Sequence, residues 1–170
     1  MEKRNVTVSA IVAAIVLIGD QLSKHWAETW LRINGEYKIW DGVLHLRYVE
    51  NRGAAFGMMQ GGKWFFLAIT GIACAAMLYF LIKERKRLHF MMTFSLALLL
   101  SGAIGNLIDR VALGYVRDMI YVALIDFAVF NVADMAVTVG CCLLVLDLLF
   151  FKGKKYMEMM DKKPQTGENS

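Results

Sequence analysis

The sequence predicts a mainly α-helical membrane protein with four transmembrane helices and a small outward-facing β platform between helices one and two. Three observations carry this prediction. Hydrophobic residues make up 58% of the 170, and only 20% are charged, a balance more apolar than soluble domains of this size show. Four long runs are almost free of charge, each close to the roughly twenty residues that cross a hydrocarbon core. The dense basic clusters all fall on the same side of those runs, as cytoplasmic segments do.

The first run, Val6–Gly19, holds fourteen uncharged residues behind Glu2-Lys3-Arg4. A cleavable signal peptide would end in a small-x-small site. Here Asp20-Gln21-Leu22-Ser23-Lys24 continues the pattern, so a retained helix is expected over 6–26. Residues 27–63 are mixed and polar. Within them Val43–Val49 alternates, with Leu44, Leu46 and Tyr48 on one side and His45 and Arg47 on the other. Asp41-Gly42 is a turn signal before it, and glycines in the following Asn51–Gly57 permit tight turns and close backbone approach. A β-rich outward segment over 37–60 follows from these features. Trp64–Ile82 and Phe90–Ile108 are nineteen uncharged residues each and predict spans over 64–82 and 90–108. Residues 109–130 form an outward loop. The fourth span covers 131–151, interrupted only by Asp134 and Asp147. Residues 1–155 are expected to form a single membrane domain, and 156–170 a polar cytoplasmic tail.

Four spans put both termini on one side. The basic clusters at Lys3-Arg4, at Lys83–His89 and at Lys152, Lys154 and Lys155 share that side, which the positive-inside rule makes the cytoplasm. The segments 27–63 and 109–130 then face outward.

Several classes are excluded. One Pro and three Cys do not make a disulfide scaffold, and Cys74, Cys141 and Cys142 sit in apolar runs as small hydrophobes. No Cys/His spacing suggests a metal, and no phosphate loop or dinucleotide fingerprint suggests a cofactor, so none of either is expected. The net charge of +4 does not indicate nucleic acid, because the basic residues flank apolar runs. His25, His45 and His89 show no spacing to a Ser or Cys that would make a nucleophilic triad.

The polar residues inside the spans share a depth. With a rise of about 1.5 Å per residue, Asp20 lies about 21 Å, Asp109 about 28 Å and Asp134 about 26 Å from the inner end of its run. All three land in the outer leaflet or at its interface. Ionisable groups placed there are costly and point to function. Asp20 and Lys24 are i,i+4 and can pair. Asn106, Asp109 and Arg110 lie at i, i+3 and i+4, and Asn131 and Asp134 at i and i+3. Gly102 and Gly105 allow close helix approach beside Asn106. The plain alternative makes these residues interfacial helix ends, with Asp20–Lys24 and Asp109–Arg110 as ordinary ion pairs. Asp134 has no basic residue within four positions, so that alternative fits it least. Asp147 lies near the basic inner end and is expected to snorkel or to form an ion pair.

Two neighbouring carboxylates cannot both ionise cheaply, so they share a proton. One then activates a water while the other acts as general acid at a carbonyl. Asp134 and an acid from the preceding loop could meet in this way. Asp118 and Asp126 are the two loop candidates, and composition does not choose between them.

The polar blocks resemble those of the bacterial lipoprotein signal peptidases, the signal peptidase II family, over residues 8–150. The blocks stand in that family's order: Asp20-Gln21-x-x-Lys24, then Asn51-Arg52-Gly53-Ala54-Ala55-Phe56, then Gly102-x-x-x-Asn106-x-x-Asp109-Arg110, then Gly114-x-Val116-x-Asp118, and finally Phe130-Asn131-Val132-Ala133-Asp134. The resemblance implies a four-span aspartic endopeptidase with an outward-facing active site in the bacterial cytoplasmic (inner) membrane. Such an enzyme cuts a prolipoprotein just before its diacylglyceryl-modified cysteine. The resemblance implies Asp118 and Asp134 as the catalytic pair. It implies Asn106, Arg110 and Asn131 as positioners, and Asp20, Lys24, Asn51, Gly53 and Asp109 as supporting or substrate-side residues. It further implies inhibition by the cyclic peptide globomycin, contact with membrane lipid, and a monomer. Two positions depart from the family: Met135 stands where a hydroxylic residue is common, and Met119 where Phe is common. Asp126 receives no role.

Two readings compete with a peptidase. A small four-span transporter coupled to protons or a cation would use Asp20 or Asp134, but the acids cluster at one depth instead of forming a path. A thiol–quinone oxidoreductase would need outward cysteine pairs, and Cys141-Cys142 lie within a span.

Overall fold

The computed structural model describes residues 2–53, 63–84 and 87–151. Its frame is four long helices: α1 (Glu2–Trp26), α3 (Lys63–Glu84), α4 (Phe90–Ala112) and α5 (Val132–Phe150). All four are long and apolar enough to cross a membrane. The predicted fold class is the one observed. The basic residues Arg85, Lys86 and Lys152–Lys155, the Ala54–Gly57 stretch and the polar tail lie outside the described residues.

The first span is longer than expected. After α1 the chain continues through a π-helical turn, Ala27–Leu31, and a last helical turn, α2 (Arg32–Asn34). Ile11, Ile15, Ile18, Leu22, Trp26, Trp30 and Ile33 are all exposed at spacings of three and four, one continuous lipid-facing stripe. Trp26 stacks on Trp30 at 5.6 Å, and Trp30 meets Tyr37 edge-on at 6.1 Å. Aromatic rings of this kind collect at the membrane–water interface. The opposite side of the extension, Ala27 and Leu31, is buried under the sheet with Met119.

The platform is a three-stranded antiparallel sheet in the order β1 (Tyr37–Trp40), β2 (Leu44–Asn51), β3 (Val116–Val122). The first two strands form a hairpin, of which the sequence pattern marks the second strand and the turn before it. The third comes from the segment expected to be loop, so the platform joins the connection after α1 to the connection after α4. A bulge between Leu46 and Val49 shifts the pairing of β2 with β3. Beyond the bulge Val49 pairs with Asp118 and Asn51 with Val116, which makes Asn51 and Asp118 diagonal neighbours on one face. Leu46 and Tyr48 pack over the buried Ala27, Leu31 and Met119, as the alternation predicts. His45, on the other side of the strand, is buried as well: it accepts from the Gly42 N–H at 3.0 Å and contacts the Glu36 carboxylate.

Helices α4 and α5 form the closest pair, and glycine makes the approach. A Cβ on Gly102 would meet the Ala133 carbonyl and Val137. One on Gly140 would lie 2.9 Å from the Ser95 carbonyl oxygen. α1 packs on the same α4, where a Cβ on Gly105 would stand 2.6 Å from an Asp20 carboxylate oxygen. At the far end of the bundle Asp147 is fully buried and meets His89 Nε2 at 2.8 Å, the paired role expected for it.

Candidate active site

The site lies where the C-terminal ends of α1 and α4, the N-terminus of α5 and strand β3 converge. Each element delivers its residues for a local reason. α5 begins with Asn131 as N-cap. Its side-chain oxygen accepts from the Asp134 N–H at 2.9 Å, and Asp134 Oδ2 accepts from the Asn131 N–H at 3.1 Å. This reciprocal capping box fixes the Asp134 carboxylate at a helix N-terminus, where the dipole favours negative charge. Asp20 satisfies another unpaired amide of the same turn, accepting from the Ala133 N–H at 2.9 Å.

A chain of amides runs from α1 to both candidate acids. Lys24 is fully buried. It pairs with Asp20 at 2.8 Å, as the i,i+4 spacing predicts, and donates to Asn106 Oδ1 at 2.9 Å. Asn106 Nδ2 donates to Asp134 Oδ1 at 2.8 Å. Asn131 Nδ2 reaches Asp118 Oδ1 at 2.7 Å and Asn106 Oδ1 at 3.1 Å. Asn51 Nδ2 donates to Asp118 Oδ2 at 2.9 Å. Asp118 and Asp134 are thus bridged by Asn131, and each carboxylate also accepts from a further asparagine.

Asp118 is 2% exposed. Burial and the neighbouring Asp134 charge push its carboxyl up to about 7, against the opposing pull of the Asn51 and Asn131 amides. Both acids line a cavity of about 570 Å³. Asn51, Asn106 and Arg110 also line it, and the rest of its wall is largely apolar, formed by Phe127, Val129, Phe130, Met135 and Val139 among others. Arg110 spans the cavity rim, with Nη2 donating to the Gly53 carbonyl at 3.4 Å and its guanidinium 5.2 Å from the centre of the Phe66 ring. Gly53 is itself fixed by an N–H donated to Asn51 Oδ1 at 3.0 Å.

The residues that the resemblance assigns to the site are brought together here: Asp20, Lys24, Asn51, Gly53, Asn106, Asp109, Arg110, Asp118, Asn131 and Asp134. Of the two loop acids, Asp118 stands beside Asp134. Asp126 points elsewhere, accepting from the Tyr121 hydroxyl at 2.6 Å on an exposed corner where its φ is 47°. Of the two departures from the family, Met135 lines the cavity and Met119 is buried under the sheet. The Asp109–Arg110 ion pair of the plain alternative does not form. Asp109 is fully buried against Arg117 instead, at 2.8 Å from Nη2 and 3.1 Å from Nε, with Lys24 at 3.7 Å. Sequence reasoning passed over Arg117, Glu28 and Gln21. Gln21 and Arg117 both lie inside the polar blocks, and Arg117 directly precedes Asp118.

Comparison with known proteins agrees with the geometry. Residues 12–150 match the family described as signal peptidase (SPase) II. The chain is 46% identical over 142 residues to a lipoprotein signal peptidase of Streptococcus thermophilus, covering 83% of this chain and 92% of the relative. It is 43% identical over 145 residues to the lipoprotein signal peptidase of Clostridioides difficile, covering 85% and 97%. A solved structure described as a bacterial membrane enzyme superposes with a TM-score of 0.78 at 33% identity, over 95% of both chains. A second of the same description gives 0.75 at 35% identity, over 85% of this chain and 94% of the other. The chain belongs to the signal peptidase II family.

Proposed function

We propose that this protein is an aspartic endopeptidase that removes the signal peptide from diacylglyceryl-modified prolipoproteins, with Asp118 and Asp134 as its catalytic pair. The observation that carries the reading is the pair itself: two carboxylates bridged by one asparagine at the rim of an apolar cavity. Family membership supports the substrate class, and a transporter reading finds no support in it.

The two acids differ in surroundings. Asp134 accepts from the Asn106 amide and a backbone N–H at a helix N-terminus, and Asn106 is in turn tied to the Lys24 cation. Among the described residues Asp118 accepts from two neutral amides, and it is buried. The shared proton therefore rests on Asp118. Ionised Asp134 takes a proton from water as the water oxygen attacks the scissile carbonyl, and Asp118 donates its proton to the carbonyl oxygen. As the tetrahedral intermediate collapses, Asp118 recovers that proton. Asp134 passes its own to the departing nitrogen, so the pair ends as it began. Arg110, at the cavity rim, holds the developing charge. The apolar walls suit the acyl chains of the lipidated cysteine, whose amide is the bond cut.

The same reading puts the enzyme in the bacterial cytoplasmic membrane as a monomer, in contact with lipid. Both termini lie inside, the site faces outward, and globomycin is an inhibitor. Incubation of the purified protein with a diacylglyceryl-modified prolipoprotein tests it. A shift to the mature size on a gel is expected, and it should be lost with Asp118→Asn and with Asp134→Asn. Full cleavage by either variant would refute the pair.

A further inference from the structure

We propose that Arg117 is a positioning residue for this reaction: it clamps strand β3 to α1 and α4 so that Asp118 is held at its working position. This inference rests on the catalytic-pair reading above. Side chains alternate along a strand, so Arg117 and Asp118 leave β3 on opposite faces. What anchors one therefore sets the backbone from which the other projects.

The anchoring of residue 117 is dense. Its backbone N–H donates to Asp109 Oδ2 at 2.9 Å, and its Nε donates to the same oxygen at 3.1 Å. Nη2 donates to Asp109 Oδ1 at 2.8 Å, which completes a two-oxygen fork. Nη1 reaches Glu28 Oε2 at 2.9 Å in the π-helical turn, and Nη2 also reaches Gln21 Oε1 at 3.2 Å on α1. The carbonyl of Arg117 accepts from Asn131 Nδ2 at 3.4 Å, the same amide that holds Asp118. One side chain thus ties α1, its extension and the last turns of α4 to the residue before Asp118.

The clamp acts on the second acid as well. Lys24 stands 2.8 Å from Asp20, 2.9 Å from Asn106 Oδ1 and 3.7 Å from Asp109. Arg117 supplies the counter-charge of the buried Asp109 and leaves Lys24 to Asp20 and Asn106. Without Arg117, Lys24, already 3.7 Å away, is the cation that can close on Asp109. Drawn toward it, Lys24 would release Asn106, whose other end holds Asp134. Lysine cannot reproduce the fork, because it offers a compact point charge in place of a planar guanidinium.

The experiment compares Arg117→Met, Arg117→Lys and Glu28→Gln in the full-length detergent-solubilised enzyme. It measures kcat and KM on a diacylglyceryl-modified prolipopeptide, together with the melting temperature. A displacement of about 1 Å at a catalytic group costs on the order of 10²-fold, so Arg117→Met should lower kcat by about that factor, with KM within about threefold. Arg117→Lys should recover about tenfold of the loss through its retained charge. Glu28→Gln breaks one arm of the clamp but keeps the fork on Asp109. It should lower the melting temperature while leaving kcat within about threefold of the parent. Parent-like kcat in Arg117→Met or Arg117→Lys would overturn the proposal, and so would an equal loss in Glu28→Gln, which would mark a merely structural contact. If Arg117→Met does not accumulate folded, Arg117→Lys decides alone: reduced kcat at unchanged KM supports the role, and parent-like kcat refutes it. Asp118→Asn in the same assay separates the two readings. An active Asp118→Asn sinks the catalytic pair, whereas an inactive one beside a normal Arg117→Met sinks only the clamp.

Discussion

At the scale of single residues, the chemistry depends on where one proton rests. The Asp118 carboxyl is held at about 7, against about 4 for a free aspartate. Between those values the folded protein binds more protons than the unfolded chain, so stability falls as pH rises through that window and is level above it. Replacing Asp118 with Asn removes this loss. The Asp118→Asn variant should melt higher than the parent at pH 8, and the gap should close toward pH 4 in a thermal scan in detergent. An equal gap at both pH values would contradict the raised carboxyl. Activity should decline with a single ionisation as pH rises past about 7, because deprotonated Asp118 cannot protonate the carbonyl oxygen. Asp126 is bonded to the Tyr121 hydroxyl at an exposed corner, away from the Asp118–Asp134 pair. Asp126→Asn should keep most of the activity, and a dead Asp126→Asn with a live Asp118→Asn would exchange their roles.

At the scale of elements, contact between helices depends on missing side chains. Gly105 faces Asp20 so closely that a Cβ would sit 2.6 Å from its carboxylate oxygen. Gly105→Ala should therefore destabilise the protein by about 1–3 kcal/mol, the usual penalty for overpacking, and should also disturb the Asp20–Lys24 pair. Gly71, on α3, has nothing within 4 Å of a Cβ. Gly71→Ala should be neutral or stabilise by about 0.5–1 kcal/mol, since alanine favours helix. Melting temperatures of the two variants test the contrast, and it fails if Gly105→Ala matches Gly71→Ala. The end of the bundle away from the sheet has its own tie. Asp147 is fully buried with one oxygen on His89 and the other with no partner among the described residues. His89→Ala would strand that carboxylate and should cost about 3–5 kcal/mol, with kcat of the folded enzyme unchanged because the pair lies far from the site. A fall in kcat in the properly folded variant would argue against that separation.

At the scale of the whole molecule, the sheet, the polar network and the cavity all gather at one end of the four helices. Residues 3 and 4, in the first turn of α1, and Lys83 and Arg87 belong to the other end. The stripe from Ile11 to Ile33 gives α1 and its extension a lipid face along their length, and Trp26, Trp30 and Tyr37 gather at its end nearest the sheet. The proposed orientation can be checked by labelling intact spheroplasts with an impermeant thiol reagent, in a background lacking Cys74, Cys141 and Cys142. Ile125→Cys, on the exposed corner beyond β3, should label from outside, and Arg87→Cys should label only after the membrane is opened. Labelling of Arg87→Cys in intact cells would invert the topology.

Sequence alone determined the four spans and the strand over 43–49, because hydropathy and alternation act over a few neighbouring residues. It also brought Asp20 and Lys24 together, since i,i+4 residues share a helix face. Only the tertiary structure decided the rest. Val116–Val122 is a strand because β2 lies beside it, and the pairing of Asn51 with Asp118 spans 67 positions of chain. The bulge in β2 sets which face those two residues share, and no local pattern marks it. Asp109 turns away from Arg110 because successive residues on a helix do not face each other; it takes Arg117 from the strand instead. Asp118 and Asp126 look alike in sequence, and what separates them is the returning segment whose Phe130 backbone bonds Ile120 at 2.8 and 3.0 Å. That return sets Asn131 between Asp118 and Asp134, and leaves Asp126 at the corner where the chain turns back.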